Sequence, residues 1–143
     1  MQMHWAERYI GIPYRDLGRD RDGIDCWGLI RLVLAEQAGI VMPSYAGDYA
    51  GGGDHAGIAT GIAARLPRHW RPLRAAERPR AFDLVVFRVC ARPRHMGVMV
   101  DARRFLHAPE PGPGGRGGTS RIEDISSPAW ARRLEGVYRH VAL

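Results

Sequence analysis

Cys26 follows Asp25 and opens an amphipathic run, Cys26–Ala38, in which Leu29, Ile30, Val33, Leu34 and Gln37 fall on neighbouring turns and Gly39 marks a stop. The spacing predicts a helix with Asp25 as its N-cap and Cys26 as its first residue. Unpaired backbone N–H groups and the positive end of the helix dipole there favour a thiolate, lowering a thiol pKa whose ordinary value is about 8.5. A carbonyl attacked by that sulfur would develop its oxyanion beside the Cys26 amide, the geometry acyl transfer uses. The alternative for Cys26 is a small buried hydrophobe, the role of many free cysteines.

A nucleophilic thiol needs a proton acceptor, and among the histidines two sit well. His95 opens one strand-like run and His107 closes the next, so a tight antiparallel pair places both near one end of a sheet if their faces match. One imidazole then takes the thiol proton while the other fixes its tautomer and orientation. The alternative is two unrelated strand-end histidines in solvent. A zinc site built from Cys26, His95 and His107, with Asp25 activating water, is the competing chemistry, although no HxxxH, HxH or CxxC spacing is present. Cys90 follows a run of strand residues and reads as core; a disulfide between Cys26 and Cys90 would silence the nucleophile.

These side chains need a scaffold. The first twelve residues, with Trp5, Tyr9 and Ile10 on one face, predict a short helix ending at Gly11 and Pro13. A turn-rich polar loop over 14–23 leads to Asp25. Between Met42 and Pro79 the pattern predicts a helix from Asp54 or His55 to Leu66, then an Arg- and Pro-rich wrapping connector. Strands over 82–89, 95–100 and 104–107 follow, joined by turns at 91–94 and 101–103. From Pro109 to Gly118 eight of ten residues are Gly or Pro, which predicts an irregular connection, either a flexible wall of a cleft or an uninvolved surface loop. A strand over 121–125, a short helix over 128–134 capped by Ser126 or Ser127, and a strand over 137–141 complete the order. Helices first and an antiparallel sheet after them is the α+β class.

The composition leaves room for one domain, residues 1–143, with 45% apolar and 25% charged residues. A chain of this length buries roughly 68–70% of its unfolded surface, so its core needs neither metal nor disulfide, and no cofactor is expected. No window holds eighteen consecutive apolar residues and no apolar run follows a basic start, so neither a membrane span nor a secretory signal is expected, and synthesis in a reducing cytoplasm is the default. The basic residues are 21 arginines and no lysine, against 15 acids, for a net charge of +6 and a pI near 10.1. Such a surface attracts anions. The arginines are nonetheless scattered from Arg8 to Arg139 and no RRM, zinc-finger or helix-turn-helix signature appears, so specific nucleic-acid binding is not expected.

The stretches Gly11-Ile12-Pro13-Tyr14, Gly23-Ile24-Asp25-Cys26-Trp27-Gly28-Leu29-Ile30, Asp83-Leu84-Val85-Val86-Phe87, His95-Met96-Gly97-Val98-Met99 and Phe105-Leu106-His107-Ala108 span nearly the whole chain. In order and spacing this set resembles the NlpC family of cell-wall cysteine peptidases. The resemblance implies a papain-like fold, with the nucleophile on a helix and the histidines on a sheet. Carried over by position, Cys26 is the nucleophile, His95 the general base and His107 the orienting third member. Tyr14 matches the tyrosine lying over the active site and Asp25 the acid beside the nucleophile; these two, with Trp27, are the substrate-binding residues. Two positions depart from the family pattern, Trp27 standing for a serine and Phe82 for a glycine.

The Asp-Cys-Trp-Gly-Leu form is similar to the subgroup found in phage tail tips and gene transfer agents. The family resemblance implies a peptidoglycan stem peptide as substrate, cleaved between D-glutamate and a diamino acid, and the subgroup likeness implies particle proteins as partners. It also implies assembly in the cytoplasm and action in the periplasm or wall of a target cell. A structural tail-tip protein without activity and an injected amidase toxin are the alternatives within the same fold.

Overall fold

Asp25 lies in extended backbone (φ −96°, ψ −174°) and its carboxylate accepts the Gly28 N–H at 2.8 Å, so the chain turns there into helix α1, Cys26–Ala38. Gly39, in the left-handed region at φ +67°, ends it. Both boundaries are those the sequence predicts. The computed structural model describes residues 4–112 and 118–143. Residues 113–117, inside the Gly/Pro-rich connection, lie outside the described residues, as do residues 1–3 of the helix expected over the first twelve.

Helix α1 buries Trp27, Leu29, Ile30, Val33 and Leu34, each contributing roughly 1.5–3 kcal/mol when taken from water. Its first turn packs on a small hairpin, β1 (Arg19–Asp20) and β2 (Gly23–Ile24). Gly28 permits this approach, since a Cβ there would lie 2.0 Å from the Gly18 carbonyl oxygen. Helix α2 (His55–His69) is capped by Asp54, whose carboxylate accepts the Gly57 N–H, and runs on through Pro67, past the limit predicted at Leu66. Pro67 sits in the last turn, where its missing donor costs one bond.

The sheet comprises β3 (Trp70–Pro72), β4 (Leu84–Val89), β5 (Arg92–Met99), β6 (Arg104–His107), β7 (Arg121–Asp124) and, after the one-turn helix α3 (Pro128–Ala131), β8 (Leu134–His140). The order is β3-β8-β4-β5-β6-β7 with every pairing antiparallel. One face carries Leu84, Val86, Met96, Val98 and Leu106 against α1. The other carries Val85, Phe87, Met99 and Phe105 beneath Trp130. The α+β class is thus as expected.

Several local expectations are corrected. The N-terminal helix is only a 3-10 turn, Trp5–Tyr9, and Ile10 is half exposed instead of sharing the buried face of Tyr9. Cys90 is not core: with Ala91 it forms the tip of the β4–β5 hairpin, both residues at positive φ, and it is exposed. The helix expected over 128–134 stops at Ala131, because Leu134 already belongs to β8. Strand β3 was not expected; its partner β8 lies some seventy positions away, pairing Trp70 with His140. Among the described residues no helix is long and apolar enough to cross a membrane.

Candidate active site

The start of α1 opens into a cleft lined mainly by apolar and aromatic side chains, and both Cys26 and His95 border it. The Met96 backbone, next to His95 on β5, and the Trp27 backbone favour the ionised form of the Cys26 sulfur. Part of the Cys26 surface stays exposed, which leaves the residue open to a substrate carbonyl, and neither Cys26 nor Cys90 is in a disulfide. The thiolate expected from the helix dipole is not what the surroundings favour. Burial pushes the Cys26 thiol up to about 12 and the Asp25 carboxylate adds to the rise, against the pull of the two backbone groups and Arg94. Desolvation outweighs the helix end, so the resting sulfur keeps its proton.

The register of β5 and β6, with Val98 opposite Leu106 and Met99 opposite Phe105, puts Gly97 across from His107 and His95 on the same face as both. The two imidazoles meet, His95 Nε2 and His107 Nδ1 being 2.7 Å apart. Gly97 allows the strands to come this close: a Cβ there would stand 2.9 Å from the Leu106 carbonyl oxygen and 3.2 Å from His107 Cβ. Both rings pack into an aromatic cluster with Phe87, Phe105 and Trp130, Trp130 lying 5.8 Å from His95 and 4.9 Å from His107 between centroids. Burial lowers the pKa of His95 well below the ordinary histidine value, helped by the neighbouring His107 and Arg94. Burial also takes His107 down to about 4, opposed by Glu123. Both rings are therefore neutral at physiological pH.

The outer nitrogen of His107, Nε2, is bonded to the Glu123 carboxylate on β7. Glu123 also accepts the Trp130 indole N–H at 3.0 Å and Arg121 Nε at 3.3 Å. Burial would raise its pKa, but the bonds from Trp130 and His107 outweigh that and hold the carboxyl below its ordinary value. Sequence reasoning named neither Glu123 nor Trp130. The available signal was the alternation of Arg121 and Glu123 on a strand pairing with that of His107.

The remaining predicted residues gather around the same cleft. Tyr14 borders it, half-buried, its hydroxyl donating to Asp16 at 2.9 Å; burial, then Asp16, raise its pKa. Trp27 presents its ring, since its indole N–H is taken by the Pro43 carbonyl at 2.9 Å. Asp25 is 4% exposed and held by internal donors: Gly28 N–H, Arg19 at 2.7 Å and the Tyr49 hydroxyl. What it offers a ligand is the ordering of Tyr49, which lines the cleft. Arg94, also missed, is buried beside His95 and bonded to the Gly52 carbonyl and Glu110. Glu110 brings the described start of the Gly/Pro-rich connection to the cleft. Among the described residues no three His, Cys, Asp or Glu side chains converge as metal ligands do, which leaves the zinc reading of Cys26, His95 and His107 without a ligand set.

A model described as the NlpC/P60 family matches residues 11–139. The probable peptidoglycan endopeptidase LytE of Bacillus subtilis (strain 168) is 25% identical over 135 residues, 94% of this chain and 32% of that protein. A lipoprotein-like crystal structure of the NLP/P60 family from Staphylococcus aureus subsp. aureus Mu50 is 26% identical, with TM-score 0.61 over 94% of this chain and 38% of that one. The NlpC/p60 domain of the peptidoglycan hydrolase SagA shares the fold at 20% identity and TM-score 0.55, over 94% of this chain and 92% of that one. The chain thus spans about a third of the length of the curated relative it matches. The α+β arrangement is the papain-like fold of these neighbours.

Proposed function

The chain belongs to the NlpC/P60 family, and from that premise we propose that it is a cysteine peptidase cleaving an amide bond of peptidoglycan stem peptides. The observation that carries this reading is that the Cys26 thiol, at the head of α1, and His95 border one cleft, with His107 bonded to His95 from the buried side. The Cys26 sulfur attacks the amide carbonyl while its proton passes to His95, so a C–S bond forms without a thiolate standing at rest. Backbone N–H groups at the start of α1 stabilise the oxyanion. Collapse breaks the C–N bond, and the departing amine takes the proton from His95. Water, deprotonated by His95, then attacks the thioester, releasing the acid and restoring the thiol.

Tyr14, Trp27 and the cleft lining ordered by Asp25 bind the substrate. The bond is that between D-glutamate and a diamino acid, and the protein is a component of a phage tail or gene transfer agent. It is assembled in the cytoplasm, with particle proteins as partners, and acts in the periplasm or wall of the target cell. The Asp25-Cys26-Trp27-Gly28-Leu29 form supports this finer assignment.

Purified sacculi digested with the native protein and with Cys26→Ala, and analysed for released muropeptides by mass spectrometry, test the reading. Release by the native protein alone, with a new D-glutamate terminus, is expected. Equal release by both removes Cys26 as nucleophile, and no release by either overturns the peptidase reading. Mass spectrometry of purified particles tests the delivery route, which their lacking this chain would overturn.

A further inference from the structure

Neutral imidazole carries one N–H and one lone pair, so in a row of histidines the proton position on one ring dictates that on the next. The row here is His95 Nε2 to His107 Nδ1, His107 Nε2 to Glu123 Oε2, with Trp130 Nε1–H on Glu123 Oε1. An ionised carboxylate only accepts. Facing Glu123, His107 Nε2 must therefore carry its hydrogen, which leaves His107 Nδ1 as a lone pair. His95 Nε2 must then donate to it, and the lone pair of His95 falls on Nδ1, the ring nitrogen left for the cleft that His95 shares with Cys26.

We propose that Glu123 is the positioning residue that sets the protonation pattern of the whole row, making His95 Nδ1 the proton acceptor for the Cys26 thiol. Glu123 touches neither substrate nor sulfur; it acts through His107. Other charges face the row as well. Arg121, on β7, bonds Glu123 Oε2; Arg133, after α3, stacks on the Trp130 ring; and Arg94, next to His95 on β5, pairs with Glu110. All three are cations, which keep a carboxylate at Glu123 ionised and protons off the imidazoles. The low pKa directions of Glu123, His107 and His95 agree with this pattern.

The inference rests on the peptidase reading for its consequence but not for its geometry, and its test separates the two. Glu123→Gln keeps the shape and replaces one acceptor oxygen with a donor. The Gln oxygen stays with the Trp130 indole N–H, so the amide N–H₂ faces His107 Nε2 and reverses the row, moving the His95 proton onto Nδ1. Removing the indole donor with Trp130→Phe lets the Gln oxygen turn back to His107 and Arg121. Three outcomes are expected. In ¹⁵N–¹H spectra of imidazole-labelled protein, native His95 is protonated at Nε2, and Glu123→Gln moves that proton to Nδ1. In muropeptide release, Glu123→Gln lowers kcat roughly 10–100-fold with little change in KM. In the Trp130→Phe background the same Gln substitution costs less than a third of its single-variant factor.

A His95 already protonated at Nδ1 in the native protein overturns the proposal whatever the activity. So do unchanged tautomers in Glu123→Gln, or equal kcat losses in both backgrounds. Absence of native activity with the expected tautomers overturns the peptidase reading alone and leaves the proton pattern standing.

Discussion

Cys26 and His95 face the same cleft as two neutral groups, and this sets how the pair responds to pH. A preformed thiolate–imidazolium pair would alkylate at a rate independent of pH across the neutral range. A thiol pushed up to about 12 instead supplies thiolate in proportion to hydroxide. Carbamidomethylation of Cys26 by iodoacetamide, followed by peptide mass spectrometry, is therefore expected to accelerate roughly tenfold per pH unit between about pH 7 and 10. A plateau over that range would contradict the neutral pair. For kcat/KM the active form has His95 unprotonated, and its pKa lies well below 6.5, so the acidic limb of the profile falls well below that value. Stability has its own pH dependence through buried His107. Its pKa is about 4 in the folded chain against an ordinary 6.5, so the unfolded chain binds the proton first as pH falls. The contribution is whole above pH 6.5 and is lost progressively down to about 4, on the order of 3 kcal/mol in urea-unfolding free energy.

Helix α1 was legible because both of its ends are written locally, in Asp25 and Gly39, and the place of Cys26 at its head is fixed by the cap. The His95–His107 pairing was legible because a short hairpin spacing carries it. Glu123 was not, since its bond to His107 depends on a third strand reached through the Gly/Pro-rich connection, and β3 was not, since its partner comes from far along the chain. Phe82 is a further case: the departure from glycine noted there falls at φ +76°, where glycine would be unstrained, and its ring instead packs 4.9 Å from Trp5. Strand geometry leads to two predictions. At Gly97 a methyl group displaces β6, so Gly97→Ala is expected to lower kcat on the order of a hundredfold by shifting His107. Native kcat in this variant would show that the close strand approach is dispensable. At the β4–β5 tip, Cys90 and Ala91 occupy a two-residue turn with both φ positive, which Asn-Gly suits better. Cys90→Asn with Ala91→Gly is expected to raise the unfolding free energy by about 1 kcal/mol with native activity, and a loss of stability would contradict the turn geometry.

The six-stranded sheet closes only when β8, late in the chain, inserts between β3 and β4, and a buried ion pair fastens that step. Arg139 on β8 grips Asp83, just before β4, through Nε to Oδ1 at 2.8 Å and Nη2 to Oδ2 at 2.7 Å. Its remaining donors reach Glu77 at 2.9 Å and the Arg78 carbonyl at 3.1 Å, tying down the connector between β3 and β4. Asp83 is fully buried and Arg139 is 5% exposed, so neither charge has water to fall back on if the other is removed. The Asp83 that carried part of the family resemblance is thus a structural lock, one strand's length from the Phe87–His95 pairing. Asp83→Ala strips the buried guanidinium of its two-point carboxylate partner, leaving only Glu77 and the Arg78 carbonyl to satisfy it, and is expected to lower the unfolding free energy by roughly 3–5 kcal/mol, read by urea titration. The double variant Asp83→Leu with Arg139→Met removes both charges together and is expected to recover most of that loss, because an apolar pair needs no desolvation of ions. Equal stability of Asp83→Ala and the native chain would mean that β8 is held by its ladder and apolar packing alone. Activity per folded molecule separates lock from chemistry: it stays native in the double variant if the pair serves only to seat β8.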